Sequence, residues 1–428
     1  MTALDHMLDL VHLAAALGAA VALAVVGRRA ARRAHQPEVI GEIMAGLLVG
    51  PALVRLLGER TFDTLLPGNI RDGLHLVAEA GLVLFMVGLA HELRLGSVRP
   101  SARTTSWVVA GSLLPTMTLG ALLAGWLVLA DDQQVRGDAP LPSFVLTVAV
   151  CLSITAVPVL ARILTDRAMT ETAPGRIALT SAIVIDAIAW LTLAVAVGLR
   201  TGRLSAFLGS LAALTAGLAV TYVLRRLLSG RRAEGLCGRH PAGAAVLIGS
   251  TAIVLALALE EVGMTAVFGA VLAGLAVPAR TPSAWTRVVA SVTRTGRALL
   301  PVFFVVSGLT VLTQGLGSTP ILLIALTTLL GTVGKVLGGY AGARLGGQGL
   351  WDGLRVGTLM NTRGLTEIIV LQVAYDAGIL TRPVFVAFLV MALVTTALTS
   401  PLLQLVDRAV SRRTPPLTRP APASREAL

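Results

Sequence analysis

The chain has 428 residues, 55% of them hydrophobic and 14% charged, with a mean hydropathy of +0.81. Soluble proteins carry about a quarter of charged residues, so this composition excludes an ordinary soluble enzyme or binding module. The formal charge of +12 is scattered over short connections without a stacking platform or recognition motif, which argues against nucleic acid as a partner.

The apolar residues come in runs of about 17 to 27, long enough to cross a bilayer. Thirteen spans are expected, at roughly 8–27, 37–54, 73–93, 104–130, 142–164, 176–199, 204–224, 242–260, 264–280, 297–313, 319–345, 350–376 and 382–406. With the N-terminus outside, about 25 of the 35 Lys and Arg fall on the inner connections and about 7 on the outer ones. This positive-inside bias predicts a multi-pass protein of the plasma membrane with the N-terminus out and the C-terminus cytoplasmic. The inner clusters include Arg28, Arg29, Arg32 and Arg33, and Arg225, Arg226, Arg231 and Arg232, which also attract anionic lipid. Met1–Met7 holds Asp5 and no Lys or Arg, the wrong start for a cleaved signal peptide. Residues 1–35 therefore read as an extra N-terminal helix with a basic inner loop, and 36–406 as the transmembrane domain.

In spans 2 and 3, Gly41-Glu-Ile-Met-Ala45-Gly46-Leu47-Leu-Val49 and Leu84-Phe-Met-Val-Gly88-Leu89 echo Gly269-Ala-Val-Leu-Ala273-Gly274-Leu275-Ala-Val277 and Phe304-Val-Val-Ser-Gly308-Leu309 in spans 9 and 10. Seven spans is an odd offset, so the two copies, about 37–199 and 264–406, enter the membrane from opposite sides. Inverted repeats of this kind are a feature of secondary transporters. Glu42 and Glu79 lie in or near spans without an evident partner, and His91 and Glu92 close span 3 at the interface.

Spans 5 and 12 are equivalents in this scheme, and both are interrupted. Span 5 carries Ser153-Ile-Thr155-Ala156-Val-Pro158, where Pro158 removes a helix hydrogen bond that the Thr155 hydroxyl could replace. Span 12 carries Asn361-Thr-Arg363-Gly364-Leu-Thr366-Glu367. Paired broken helices expose backbone dipoles to a cavity at mid-membrane and point to a binding site. In span 6, Asp186 stands alone in Ala182-Ile-Val-Ile185-Asp186-Ala-Ile-Ala-Trp190, and a carboxylate at such depth is costly unless it functions. In span 11, Lys335 is the only lysine of the chain, and lysine loses its proton more readily than arginine. At 1.5 Å per residue, Asp186, Lys335, Thr155 and Asn361 all lie roughly 15 Å deep, near the midplane. Beside Lys335, Gly334, Gly338, Gly342 and Gly346 form a stripe for close helix packing. After about Asp407 the chain is Pro- and Arg-rich, a short tail expected to be disordered.

Cys151 and Cys237 imply no disulfide framework. No strand–GxGxxG–helix unit, P-loop, metal-ligand spacing or nucleophile–base arrangement appears. No enzyme activity, cofactor or resident metal is expected.

These residues resemble the monovalent cation:proton antiporter-2 family, which includes bacterial potassium-efflux systems and plant cation/proton exchangers. The resemblance covers about 36–405 and rests on Pro37-Glu38-Val-Ile-Gly41-Glu42-Ile, Ile154-Thr-Ala-Val-Pro158-Val-Leu-Ala-Arg162-Ile-Leu, Gly175-Arg176 through Trp190, and Leu359-Met-Asn-Thr-Arg-Gly-Leu-Thr-Glu367. It implies an all-α fold of about thirteen transmembrane helices with two broken, crossing helices, a homodimer, and elevator-like movement of a core domain. By motif, Asp186 falls on the family's ion-binding aspartate, Thr155 on the Thr of its Thr-Ala break and Lys335 on its basic residue. One departure is Ile185, where the family usually places Asp, Asn or Gln; Lys335 then lacks its usual partner and could pair with Asp186 or lose its proton. The expected function is secondary exchange of Na+ or K+ for H+, with Asp186 binding cation and proton in competition, one for one. Other readings are a channel, a transport-inactive membrane sensor, or a proton-coupled carrier of another solute.

Overall fold

The computed structural model of the protein describes all residues except 1–2, 35, 96–99, 131, 203–204, 263, 280–282, 310–318 and 414–428. Every element in it is helical. In chain order they are α1 (Ala3–Arg33), α2 (Glu38–Leu57), α3 (Glu59–Leu65), α4 (Gly68–Leu95), α5 (Ala102–Leu129), α6 (Gln133–Arg136), α7 (Leu141–Ser153), α8 (Val157–Asp166) and α9 (Ala173–Thr201). There follow α10 (Ser205–Leu228), α11 (Arg231–Arg239), α12 (Pro241–Glu261), α13 (Ala266–Ala276), α14 (Ala284–Leu309), α15 (Ile321–Leu345), α16 (Leu350–Met360), α17 (Leu365–Asp376) and α18 (Arg382–Arg413). Helices dominate because hydrocarbon offers no partner to backbone groups, which must be satisfied within each segment.

Among the described residues, eleven stretches are long and apolar enough to cross a membrane, α7 and α8 together forming one of them. Two further expected spans fall short of that length for identifiable reasons. Span 9 is the eleven-residue α13, and span 12 is divided into α16 and α17. The connections hold more structure than the sequence suggests, since α3, α6 and α11 are short helices and Cys237 is buried within α11 rather than lying in a loop. The C-terminal tail is helical as far as Arg413, and Asp407 pairs with Arg355 at 2.9 Å; the rest of the expected tail, 414–428, lies outside the described residues.

The helices pack in two groups. One comprises α1, α2, α4, α12, α13 and α14; the other comprises α5, α7, α8, α9, α15, α16, α17 and α18, with α10 set against α9, α12 and α13. The most extensive contact in the first group is α4 on α14, and in the second α5 on α15. Both pairs are antiparallel: Gly81 lies against Leu299 and Gly88 against Thr293, and likewise Gly111 lies against Gly338 and Trp107 against Gly342. The glycine stripe of α15 is therefore packing surface, as its four-residue spacing predicts. A Cβ at Gly338 or Gly342 would overlap the carbonyl oxygen of Gly111 or Trp107.

Candidate functional site

α7 ends at Ser153 and α8 begins at Val157, with Ile154 and Ala156 extended between them. α16 ends at Met360 and α17 begins at Leu365. The two breaks cross. The Ala156 amide donates to the Thr362 carbonyl at 3.0 Å, and the Thr155 hydroxyl donates to the Met360 carbonyl at 3.1 Å. A side chain at Gly364 would come within 2.6 Å of Val159, so only glycine lets the second break approach the first this closely. Pro158 is the second residue of α8, where its missing N–H costs nothing. The Thr155 hydroxyl thus serves the opposite break rather than repairing its own helix, as the sequence had suggested.

Breaking a helix leaves carbonyl oxygens without donors. Arg363, fully buried, supplies them: its guanidinium donates to the carbonyls of Cys151, at 2.9 Å, and Leu152, at the end of α7. It also pairs with the buried Glu367 at 3.2 Å. On the other side, α18 holds the second break. Thr396 accepts from the Arg363 amide at 2.9 Å and donates to the Arg363 carbonyl at 2.6 Å, and Asn361 donates to the Thr395 carbonyl at 3.1 Å. Ser153 turns its hydroxyl back onto the Val150 carbonyl of its own helix at 2.9 Å.

Lys335 enters this crossing from α15. Its Nζ donates to Thr155 Oγ1 at 2.9 Å and to Ser112 Oγ of α5 at 3.1 Å, and the residue is fully buried. It makes no ion pair with Asp186, so the pairing suggested by the loss of its usual partner is not formed. Asp186 is 1% exposed, and neither carboxylate oxygen has a hydrogen-bond partner. Its neighbour Ile185 is fully buried and apolar. Other buried polar atoms without partners lie on the second break and after it: Asn361 Oδ1, Thr362 Oγ1, Thr366 Oγ1 and Glu367 Oε2. Buried unsatisfied groups are rare enough to point to chemistry or to a missing ligand, and these are oxygen donors of the kind hard monovalent cations prefer.

Several partners escaped the sequence reading. Ser112, Thr395 and Thr396 are polar residues in otherwise apolar spans, a weak signal that was available. The carbonyls of Met360, Cys151 and Leu152 carry no residue-type signal at all. Glu42, which had no nameable partner, is fully buried beside Arg28 (3.5 Å) and Arg162 (3.7 Å). Arg162 also meets Glu38 at 3.3 Å and Asp166 at 3.1 Å, so this network ties α8 to α1 and α2. Glu79 faces the carboxylate of Glu260 on α12. His91 is buried, with its Nε2 3.2 Å from the Pro278 carbonyl oxygen.

The profile of the sodium/hydrogen exchanger transmembrane family matches residues 19–405. A Na+/H+ antiporter, NhaS4, from Synechocystis is 32% identical over 380 residues, covering 86% of this chain and 91% of its own length. Cation/H+ antiporter 17 of Arabidopsis thaliana is 34% identical over 387 residues and 87% of this chain, which spans 45% of that relative. K+/H+ antiporter 1 of Saccharomyces cerevisiae is 29% identical over 391 residues, covering 87% of this chain and 44% of its own length. Among solved structures, the sodium proton antiporter MjNhaP1 of Methanocaldococcus jannaschii superposes with a TM-score of 0.62 at 15% identity, over 94% of this chain and 97% of its own.

Proposed function

Because the chain belongs to the sodium/hydrogen exchanger family and is a multi-pass monovalent cation/proton antiporter, we propose that it works by alternating access with Asp186 as the exchanging carboxylate. The observation that carries this reading is the buried Asp186 carboxylate with both oxygens unpaired. A lone charge in hydrocarbon is costly, so the group needs either a proton or a cation to neutralise it, and the two compete. The crossed breaks supply further oxygens: the remaining lone pair of Thr155 and the unpartnered Asn361 Oδ1 and Thr362 Oγ1.

The other ionisable residues of the site have structural employment. Arg363 and Glu367 neutralise each other while closing the end of α7, and Lys335 holds Thr155 and Ser112. One uncommitted carboxylate supports exchange of one proton for one cation, with no net charge moved. Loading with either ligand neutralises the Asp186 carboxylate and frees the core to move; with that carboxylate empty and charged the core is held in place.

The core that moves is the group of α5, α7–α9 and α15–α18, which carries all the site residues, against a scaffold built on α4 and α14. Antiparallel packing of α4 on α14 and of α5 on α15 is what inverted repeats predict for equivalent helices. Homodimerisation, a plasma-membrane location and an outside N-terminus complete the proposal. Relatives named for Na+ and for K+ bracket the cation as one of these two, and their names as antiporters disfavour the sensor and other-solute readings.

The test is dissipation of a pH gradient in everted vesicles on addition of Na+ or K+, comparing wild type with Asp186→Asn. Cation-dependent proton movement that is lost in the variant supports the assignment; movement at the wild-type rate in the variant refutes it.

A further inference from the structure

A cavity of about 420 Å³ opens between α9, α10, α17 and the C-terminal end of α12. Trp190, Leu193, Val197, Ser210, Glu261 and Val373 are among its lining residues. At about 30 Å³ per molecule it has room for roughly fourteen waters, and the exposed Glu261 sets a negative charge at its rim. Three of the lining residues belong to one stripe of α9. Trp190, Leu193 and Val197 follow Asp186 by four, seven and eleven residues, the spacing that keeps side chains on a single helix face. The cavity thus lies on the face that carries Asp186, towards the end of α9 at Thr201. The larger apolar cavity of about 570 Å³ between α5 and α9 is lined instead by Val184 and Thr180, which point away from that face.

Asp186 itself does not line the cavity and is only 1% exposed. Trp190 is the lining residue nearest to it along the stripe. Side chains on a helix lean back towards the N-terminus and cover the turn before their own Cα, which sets Trp190, one turn further along the same stripe, between Asp186 and the cavity. The ring is 6% exposed and its N–H has no partner. A buried Trp ordinarily finds one, and Trp190 shares this lack with Trp285.

We propose that Trp190 is the gate between Asp186 and an outer vestibule, the cavity bounded by α9, α10, α12 and α17. Its ring separates the carboxylate from water in the state described. When it swings aside, its π face attracts a cation entering and its N–H becomes free to hydrogen-bond vestibule water. The proposal deepens the assignment of Asp186 as the exchanging group and rests on it, as it does on the outside placement of the Thr201 end.

Thiol labelling tests it without relying on transport. In a Cys151→Ala, Cys237→Ser background, Val197→Cys reports on the vestibule and Asp186→Cys on the site. A membrane-impermeant thiol reagent applied from outside is expected to modify Val197→Cys readily and Asp186→Cys slowly. Adding Trp190→Ala to Asp186→Cys should accelerate its labelling by about tenfold or more, a barrier change of about 1.4 kcal/mol, whereas Trp190→Phe, which keeps the bulk, should not. Trp190→Leu, a milder truncation, gives an intermediate rate and stands in if the alanine variant does not fold. Equal labelling of Asp186→Cys with Trp190 or a truncated residue, acceleration from the inner face only, or an unreactive Val197→Cys overturns the gate. Because labelling reads access alone, the gate can fail while exchange assays still support Asp186, and the reverse.

Discussion

The Nζ of Lys335 donates to Oγ1 of Thr155 at 2.9 Å, and Asp186, the carboxylate it was expected to face, has no ion pair. Lysine therefore fixes the hydroxyl at the crossing of the two breaks, with Ser112 as its second acceptor. Lys335→Gln, which can still donate to both hydroxyls, should keep the fold and a large part of the exchange rate. Lys335→Ala leaves buried hydroxyls short of a donor and should cost about 1–3 kcal/mol of stability, read as a lower thermal midpoint in detergent. If glutamine is as inactive as alanine, the positive charge matters in its own right and the positioning role is wrong.

Arg363 does two jobs, closing the end of α7 and neutralising Glu367. Arg363→Ala uncovers two carbonyls and strands a buried carboxylate, so it should destabilise by about 3–5 kcal/mol. Adding Glu367→Gln removes the stranded charge and should recover part of that loss. A double-mutant cycle on thermal stability checks this, with non-additivity of about 1–3 kcal/mol expected for directly paired groups.

The fold and its broken helices were largely legible in the sequence. Ser153–Pro158 and Asn361–Glu367 interrupt spans with residues that hydrocarbon disfavours, and the structure breaks its helices at those two places. What was not legible is which side chain meets which. Lys335 and Asp186 share a depth, and depth follows from counting residues; their partners depend on how helices rotate about their axes, which a count does not determine. The same limit hid the pairing of Glu42 with Arg28 and Arg162, since those residues lie on three different helices. The shortness of α13 was hidden for another reason, because hydropathy registers apolar length whether or not the helix continues.

Packing of α15 on α5 is the tightest seam of the core. Gly342→Val or Gly338→Val would drive a side chain into the Trp107 or Gly111 carbonyl. Each should abolish exchange and lower the thermal midpoint, while Gly347→Ala, whose position has open space but a φ of 89°, should cost only about 1–2 kcal/mol. Normal stability in Gly342→Val would contradict the seam as described.

Competition at one carboxylate fixes the sign of the pH dependence. Protons displace cations as pH falls, so the half-saturating cation concentration should rise on acidification, by up to about tenfold per pH unit when the site is mostly protonated. At saturating cation the limiting step passes to proton loading, and the rate should fall at high pH instead. Vesicle assays over a range of pH and cation concentration separate the two limbs. A half-saturating concentration that does not move with pH would show that the ions bind at separate sites.

The most direct measurement is proton release on cation binding by the purified protein in weakly buffered detergent solution. Adding Na+ or K+ to wild type should release protons in proportion to cation bound, approaching one for one where Asp186 starts protonated, and Asp186→Asn should release none. Cation binding without proton release in the wild type, or release that persists in Asp186→Asn, would contradict exchange at this carboxylate.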